Sequence, residues 1–520
     1  MTDWMEGYAS GDTYTKNYFR ELNPNRLVFS LLSAGIMPPI IRSACELGFG
    51  FGLSVNSHAS SMDMNWFGND YNPTQKNFAQ RANETSGDFA SLSDESFKEL
   101  CSRSDLGRFD YIGLHGVWSW ISAENQDAIL QFINTHLSPS GVVYMSYNVA
   151  PGSIAFDPVR QLMLRQFTHG TASNRKLGER IQQTLEYMGK VADLKPRYLE
   201  QSPGVKSRLN SLNKHNASYL SHEYLNRDWN IESFISISEK MAGIKLEHGV
   251  TANVLDTVDT LNLSEEQNEF LKSTPDVTTK EFLKDMIWSE TFRRDYWVKG
   301  PRPLTEQDKW SYIGKLEVIQ SDFIDDKTED MEIKGRHLKG GIKNELYRFI
   351  LSEIKEGQKV SIESLATKRQ GEDSIASVIQ AIKLLSGTSL IQFCSDNAFV
   401  KMRRTQDATS KLNDYYCSQS VNLASTLQMV FSPVTGESLN IGRTALLYLH
   451  VCKSGVSSFE EACKKIVVAL SENGELIRDG DEPVVELDKA ANLIKADLEE
   501  KLPKLATFLY KHGIELRYPL

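Results

Sequence analysis

The sequence predicts an α/β protein in which a Rossmann-like parallel sheet fills the first 160 residues and α-rich modules follow, one of them winged-helix-like. Three observations carry this expectation. Between Arg42 and Asn148 short apolar runs alternate with helical stretches, the pattern of parallel strands joined by crossover helices. From Val159 to about Phe292 the apolar spacing turns helical, with no strand series. Beyond about residue 300, helical patterns lead into the strand-like SLIQFC. A chain of 520 residues has room for several folded units of about 150 residues each. Its 40% apolar and 24% charged residues are the balance of a globular chain with sizeable cores.

In chain order, strands are expected at Ser43–Leu47, Asn65–Asn69, Phe109–Leu114 and Gly141–Ser146. Between the last two, Ala123–Leu137 sets Ile129, Phe132, Ile133 and Leu137 on one helical face, which completes a right-handed βαβ unit. The α-rich stretch after Val159 is expected to pack over the sheet's carboxyl edge. The prolines and glycine of KGPRPLTEQDKW mark a boundary near residue 300. Gly341–Gly357, Ser361–Gln370 and Asp373–Ser386 then read as the helices of a winged-helix-like module. The division is therefore 1–160, the nucleotide-binding sheet; 161–305, an α-rich lid; 306–410, the winged-helix-like module; and 411–520, a helical module.

A net charge of −10 gives no general attraction to nucleic acid or to an anionic membrane. The winged-helix-like stretch 341–405, with ten Lys/Arg and seven Asp/Glu, reads as a packing or protein-binding module. The ten acids and five bases of Glu472–Lys504 read as a solvated helical face. The first thirty residues lack a basic start followed by an apolar core, and no run is long enough to span a membrane, so a cytoplasmic location is expected. The six cysteines are scattered with no C-x-x-C pair, the spacing of reduced thiols without a metal.

The most informative segment is Glu46-Leu-Gly-Phe-Gly-Phe-Gly52, which follows the first strand. Gly48, Gly50 and Gly52 let the backbone pass close to a ligand in conformations closed to residues with a β-carbon. A dinucleotide cradle would need a glycine where Leu53 stands. An acid at the strand end, Glu46, sits badly beside a phosphate and suits a ligand with an ammonium group, such as S-adenosyl-L-methionine. Asp70, 24 positions on and at the end of the second strand, is expected to accept both ribose hydroxyls; capping a helix is its other reading. Tyr71 is placed to stack on the base. Ser86-Gly-Asp-Phe-Ala90 offers Asp88 for the adenine amino group and Phe89 for a ring face. After the next strands come HGVWSWI, with His115, Trp118 and Trp120, and SYNVAPG, with Tyr147 and Asn148.

These segments resemble a family, the class I S-adenosylmethionine methyltransferases carrying a methyltransferase regulatory domain, whose members include rickettsial lysine methyltransferases acting on an outer-membrane protein. The resemblance runs through YFRELNPNRL (Tyr18 to Leu27), ELGFGFG, NDYNP, FDYIGLHGVWSWIS and SYNVAPG, and resumes at SHEYLNRDW and TFRRDYWVKG. Beyond residue 300 it is a likeness of layout only. It implies the class I methyltransferase sheet, S-adenosyl-L-methionine as cofactor with Tyr18 joining the residues above around it, and a polypeptide acceptor. Phe49 departs from the pattern, since the family usually has a small residue there.

Lysine as the acceptor rests on that resemblance, because the chain has HGVW where many amino-methylating enzymes have an Asn-Pro-Pro-Tyr type motif. A lysine must lose its proton before it can accept a methyl group, and His115 or Tyr147 are the candidates to take it, with Asn148 orienting the amine. His222 and Glu223 read as structural, and Arg293, Arg294 and Asp295 as an ion-pair network. Two further readings stay open: a glycan or small-molecule O-methyltransferase, and a non-catalytic scaffold that binds the cofactor. A chain ending near Lys299 is expected to keep cofactor binding and to lose transfer to protein.

Overall fold

The run Ser43-Ala-Cys-Glu-Leu47 is buried at every position after the first, as a strand covered on both faces requires. In the computed structural model of the chain it forms β1, paired in parallel with β2 (Asn65–Asn69) on one side and β4 (Phe109–Leu114) on the other. The structure describes residues 16–322, 331–341, 344–356, 359–395, 406–421, 427–453, 455–480 and 482–515. The expected strand at Gly141–Ser146 is the middle of a longer one, β5 (Leu137–Ala150). The sheet also contains β3 (Ala90–Ser93), β7 (Glu247–Thr251) and β8 (Phe292–Val298), in the order β3-β2-β1-β4-β5-β8-β7, with the short β6 (Glu232–Ser233) pairing beside β5. Only β8 runs against the other strands of that path.

The expected absence of strands between Val159 and Phe292 is thus corrected. β7 reads EHGVT, with Val250 its one aliphatic residue, and shows no apolar alternation. β8 carries Arg293, Arg294 and Asp295 into the sheet. Those charges are paired there: Arg293 donates to Asp285, Glu281 and Asp295 at 2.7–2.8 Å, and Arg294 donates to Glu21 at 2.6 Å. Such pairing is the condition on which charge is buried.

Helices cover both faces. Asn23 caps α1 (Pro24–Ser33), Asn72 caps α3 (Pro73–Ser86) and Ser122 caps α5 (Ala123–His136), each side chain accepting a first-turn backbone N–H. Pro24 and Pro73 stand in the first turn, where no intrahelical N–H is required of them. Alternation along β5 sends Val143, Met145 and Tyr147 to the face covered by α5, while Val142 and Tyr144 join the face covered by α1.

After residue 300 the helices Glu345–Glu356, Ile362–Lys368 and Ile375–Gly387 stand where the sequence predicts them; residues 342, 343 and 357 of the first expected helix lie outside the described residues. Ile391–Phe393 and Val360–Ser361 flank Glu317–Gln320 in an antiparallel three-stranded sheet, the winged-helix-like arrangement. Among the described residues this module has no core cluster of its own. Ile350, Val378 and Ile382 join Phe29, Ala44 and Tyr144 in one cluster. Residues after 406 pack on α2 (Leu53–Ser61) and α3, with Leu412 and Tyr416 in a cluster with Leu53 and Ala82. By contrast, the helices between Asp157 and Tyr224 enclose a separate small core around Phe156, Met163, Ile181 and Leu209. No helix among the described residues is long and apolar enough to cross a membrane.

Candidate active site

Strand order reverses between β1 and β4, and a cavity of about 460 Å³ opens at their carboxyl ends, the place where open α/β sheets bind ligands. Its floor is the loop after β1. Gly48 and Gly50 line it with φ of +69° and +59°, a region that favours glycine. A β-carbon on Gly48 would stand 2.4 Å from the Val117 side chain, whereas one on Gly50 would meet nothing within 4 Å among the described residues. Gly50 therefore keeps space clear rather than filling it.

Two buried carboxylates face this space. Glu46, 3% exposed, accepts from Ser54 Oγ at 2.5 Å through one oxygen, and its other oxygen has no hydrogen-bond partner among the described residues. Burial, with Asp70 nearby, pushes its pKa up to about 8 against the pull of the Ser54 bond. Asp70 accepts backbone N–H groups of Gly50 at 2.7 Å and Asn72 at 2.9 Å, and burial raises its pKa to about 7 despite both bonds. Leaving a buried carboxylate oxygen unmatched is costly. A cationic ligand at Glu46 removes that cost.

The opposite wall comes from the loop after β4, from Asn148 near the end of β5 and from the helix Ala217–Tyr224, which contributes Tyr219, His222 and Glu223. His115 Nδ1 lies 2.7 Å from the Tyr144 hydroxyl, and its ring stacks on Phe19 with centroids 3.6 Å apart. Burial, aided by Arg294, holds its pKa down at about 4 against Glu21. Asn148 accepts from the Trp229 indole N–H at 3.1 Å, and Trp229 stacks on Trp120 at 6.1 Å.

Residues 216–299, which span the helix Ala217–Tyr224, β7 and β8, match a family model described as a predicted methyltransferase regulatory domain. The uncharacterized protein RP028 of Rickettsia prowazekii is 30% identical over 206 residues, covering 37% of this chain and 76% of that protein. The chain belongs to the class I S-adenosylmethionine-dependent methyltransferases that carry this regulatory domain. Beyond that segment, the uncharacterized protein sll1526 of Synechocystis is 29% identical over 453 residues, 86% of this methyltransferase and 87% of the relative. The fold as a whole matches PKMT2 from Rickettsia typhi, solved in complex with AdoHcy, with TM-score 0.69 at 18% identity over 95% of this chain and 98% of that one.

Of the residues picked from sequence, the methyltransferase cavity is lined by Glu46, Gly48, Gly50, Asp70, Tyr71, His115 and Asn148. Five others do not line it. Asp88 and Phe89 precede β3 and so stand at its amino end, the wrong edge of the sheet for a ligand. Asp88 is exposed and bonded to Asn83 at 2.7 Å, while Phe89 packs on the core. The ASLS of β3 has a single bulky apolar residue, Leu92, and so gives little strand signal; its carboxyl end delivers Glu95, Ser96 and Phe97 to the cavity instead. Tyr147 points to the other face of β5, where its hydroxyl donates to Asp295 at 2.7 Å and burial raises its pKa well above the usual phenol range. Gly52 is needed for packing, since a β-carbon there would lie 2.5 Å from that of Ala79. Tyr18 turns to His58 and Asn23, 3.0 and 3.2 Å away.

Tyr219 carries no signal in the sequence, and His222 and Glu223, expected to be structural, also line the cavity. A His-Glu pair on a short helix gives no local signal that a cavity lies beneath it, although SHEYLNRDW marks the segment.

Proposed function

We propose that this methyltransferase transfers a methyl group to the amine of a protein lysine, on a bacterial surface or outer-membrane polypeptide. The observation that carries the cofactor half is the unmatched, buried Glu46 oxygen beside the open face of Gly50. Glu46 would hold the ammonium of S-adenosylmethionine, Asp70 the ribose hydroxyls, and Tyr71 with Phe97 the base. When bound, the cofactor supplies an electrophilic methyl group on sulfur. The likeness to PKMT2 and the resemblance to rickettsial lysine methyltransferases support the acceptor half.

The protein's own work is to bind a cation, exclude water and favour a neutral amine. Trp120, Ile121 and Phe292 make the acceptor end apolar, and desolvation lowers the pKa of an entering ammonium. His115, at about 4, is too weak a base to take a proton from an amine near 10.4, and Tyr147 is turned away. Proton loss to water on entry fits better, with the second lone pair of Asn148 Oδ1 accepting from the amine. The decisive experiment incubates the full-length protein with labelled S-adenosylmethionine and outer-membrane fractions; label confined to non-protein material overturns the lysine reading.

Asp70→Ala is expected to weaken S-adenosylhomocysteine binding by well over tenfold, since two charge-assisted hydrogen bonds are worth about 1.5–3 kcal/mol each. Asp88→Ala should leave the affinity unchanged. Calorimetry on both variants checks the reassignment of the adenosine contacts.

The raised pKa of Glu46 sets a pH dependence with two opposite signs. Between its ordinary value of 4.5 and about 8, the folded ligand-free protein holds a proton that the unfolded chain releases, so stability falls as pH rises through that window. A cationic ligand needs the carboxylate, so affinity rises over the same range, by up to about tenfold per pH unit. Calorimetric affinity and thermal melting between pH 6 and 8 should move in opposite directions, and Glu46→Gln should reduce both slopes to the part that Asp70, raised to about 7, contributes.

A further inference from the structure

The loop after β4 is held by residues that follow the helix Ala217–Tyr224. Asn230 donates its backbone N–H to the Ser119 carbonyl at 2.7 Å and its Nδ2 to the Ile121 carbonyl at 2.6 Å, and Glu232 of β6 accepts from the Trp118 indole N–H at 3.0 Å. Trp229 does more than fasten that loop. Its ring packs against the separate core of the helices between Asp157 and Tyr224, stacks on Trp120 at 13° and lies under the Arg160 guanidinium at 5.2 Å. Its indole N–H donates to Asn148 Oδ1 at 3.1 Å. One half-buried side chain of the regulatory-domain segment therefore joins a helical core to two cavity-lining residues, Trp120 and Asn148.

The same bond decides which way the Asn148 side chain faces. An indole N–H donates and never accepts, so the carboxamide oxygen must stand opposite it and Nδ2 is turned away. The backbone is fixed too, the Asn148 N–H donating to Ser119 Oγ at 2.8 Å. An acceptor atom, whether amine or hydroxyl, must keep a lone pair free for the incoming methyl group. A carboxamide oxygen accepts that atom's own N–H or O–H and leaves the lone pair free. A flipped carboxamide would offer Nδ2–H instead, and a donor there occupies the lone pair.

We infer that Trp229 is a positioning residue for methyl transfer, acting through Asn148 by keeping its carboxamide oxygen, rather than its nitrogen, available to the acceptor atom. The inference rests on the methyl-transfer reading of the cavity and holds for an amine and a hydroxyl acceptor alike. Because Trp229 also packs on the helices between Asp157 and Tyr224, it ties the orientation of Asn148 to the docking of those helices.

The test replaces Trp229 by phenylalanine, which keeps an apolar ring beside Trp120 and loses the N–H. Full-length variants are assayed for transfer of labelled methyl from S-adenosylmethionine to any material of a whole-cell extract, and for S-adenosylhomocysteine affinity by calorimetry. Trp229→Phe should lower kcat by about tenfold or more, as loss of orientation does, with the apparent KM for the extract and the S-adenosylhomocysteine affinity within about twofold of wild type. In an Asn148→Ala background the same replacement should cost nothing further, since the residue it acts through is gone. Apart from activity, the Trp229 indole N–H, assigned in NMR spectra by its absence from Trp229→Phe, should exchange with solvent about tenfold faster or more in Asn148→Ala. Full kcat in Trp229→Phe, a loss carried by KM or by cofactor affinity, an equal loss in both backgrounds, or an unchanged exchange rate would overturn the inference. Where Asn148→Ala transfers too slowly to compare, the exchange rate and the division between kcat and KM decide. If the wild-type chain transfers no label at all, the methyl-transfer reading falls first and this one with it; a failure confined to the variants leaves that reading standing.

Discussion

Replacing Gly50 by valine is expected to abolish S-adenosylhomocysteine binding, with affinity reduced at least a hundredfold. Two effects add. Gly50 sits at φ +59°, where a residue with a β-carbon is strained by roughly 1–2 kcal/mol and a β-branched one is a genuine outlier. The side chain would also project into the open cavity, because no described residue lies within 4 Å of the β-carbon position. The Gly50 N–H donates to Asp70 at 2.7 Å, so any shift of the loop that relieved the strain would disturb the Asp70 carboxylate as well. Gly50→Ala separates the terms, adding one methyl group with less strain, and should lose less affinity than valine. Calorimetry with thermal melting checks the outcome; wild-type affinity in the valine variant would mean that the loop does not face the ligand.

The legible part of this protein was the part governed by local rules. β1, β2 and β4 are buried, β-prone runs bounded by turn residues, and their limits follow from the sequence to the residue. Glycines and acids at their carboxyl ends could then be placed, and Glu46, Gly50 and Asp70 line the cavity. What was not legible depends on tertiary context. β3 is stabilised by its neighbour β2 rather than by its own composition, and missing it put Asp88 at the wrong edge of the sheet. β8 looks too charged for a strand until Glu281, Asp285 and Glu21, distant in sequence, are seen to pair with its arginines. Tyr147 and Asn148 were read together, yet a period of two sends adjacent residues to opposite faces. That rule was available from sequence and would have separated them.

A chain ending at Lys299 is expected not to fold, the reverse of what sequence alone suggests. Every residue of α2, directly after the glycine loop, is buried, and much of its cover is carboxyl-terminal. Ser57 Oγ donates to the Gly436 carbonyl at 2.7 Å, and Leu53 belongs to the same cluster as Leu412 and Tyr416. At α1, Asn23 and Asn25 each donate to the Thr435 carbonyl at 3.0 Å, and Phe29 stacks on Phe393 at 4.2 Å. Removing residues 300–520 would expose apolar side chains worth about 1.5–3 kcal/mol each. Uncovering about five of them costs as much as the roughly 5–15 kcal/mol that holds a typical domain together. It would also leave the buried side chains of Asn25 and Ser57 without their acceptors and Asn23 without one of its two. The truncated chain should therefore lack a cooperative thermal transition and bind no S-adenosylhomocysteine. A cooperative melt with retained binding would show that the sheet stands alone, and the carboxyl-terminal half could then be assigned to acceptor recognition. The contacts argue instead that this half is a structural layer of the catalytic unit, so its part in substrate choice must be tested by surface substitutions in the full chain.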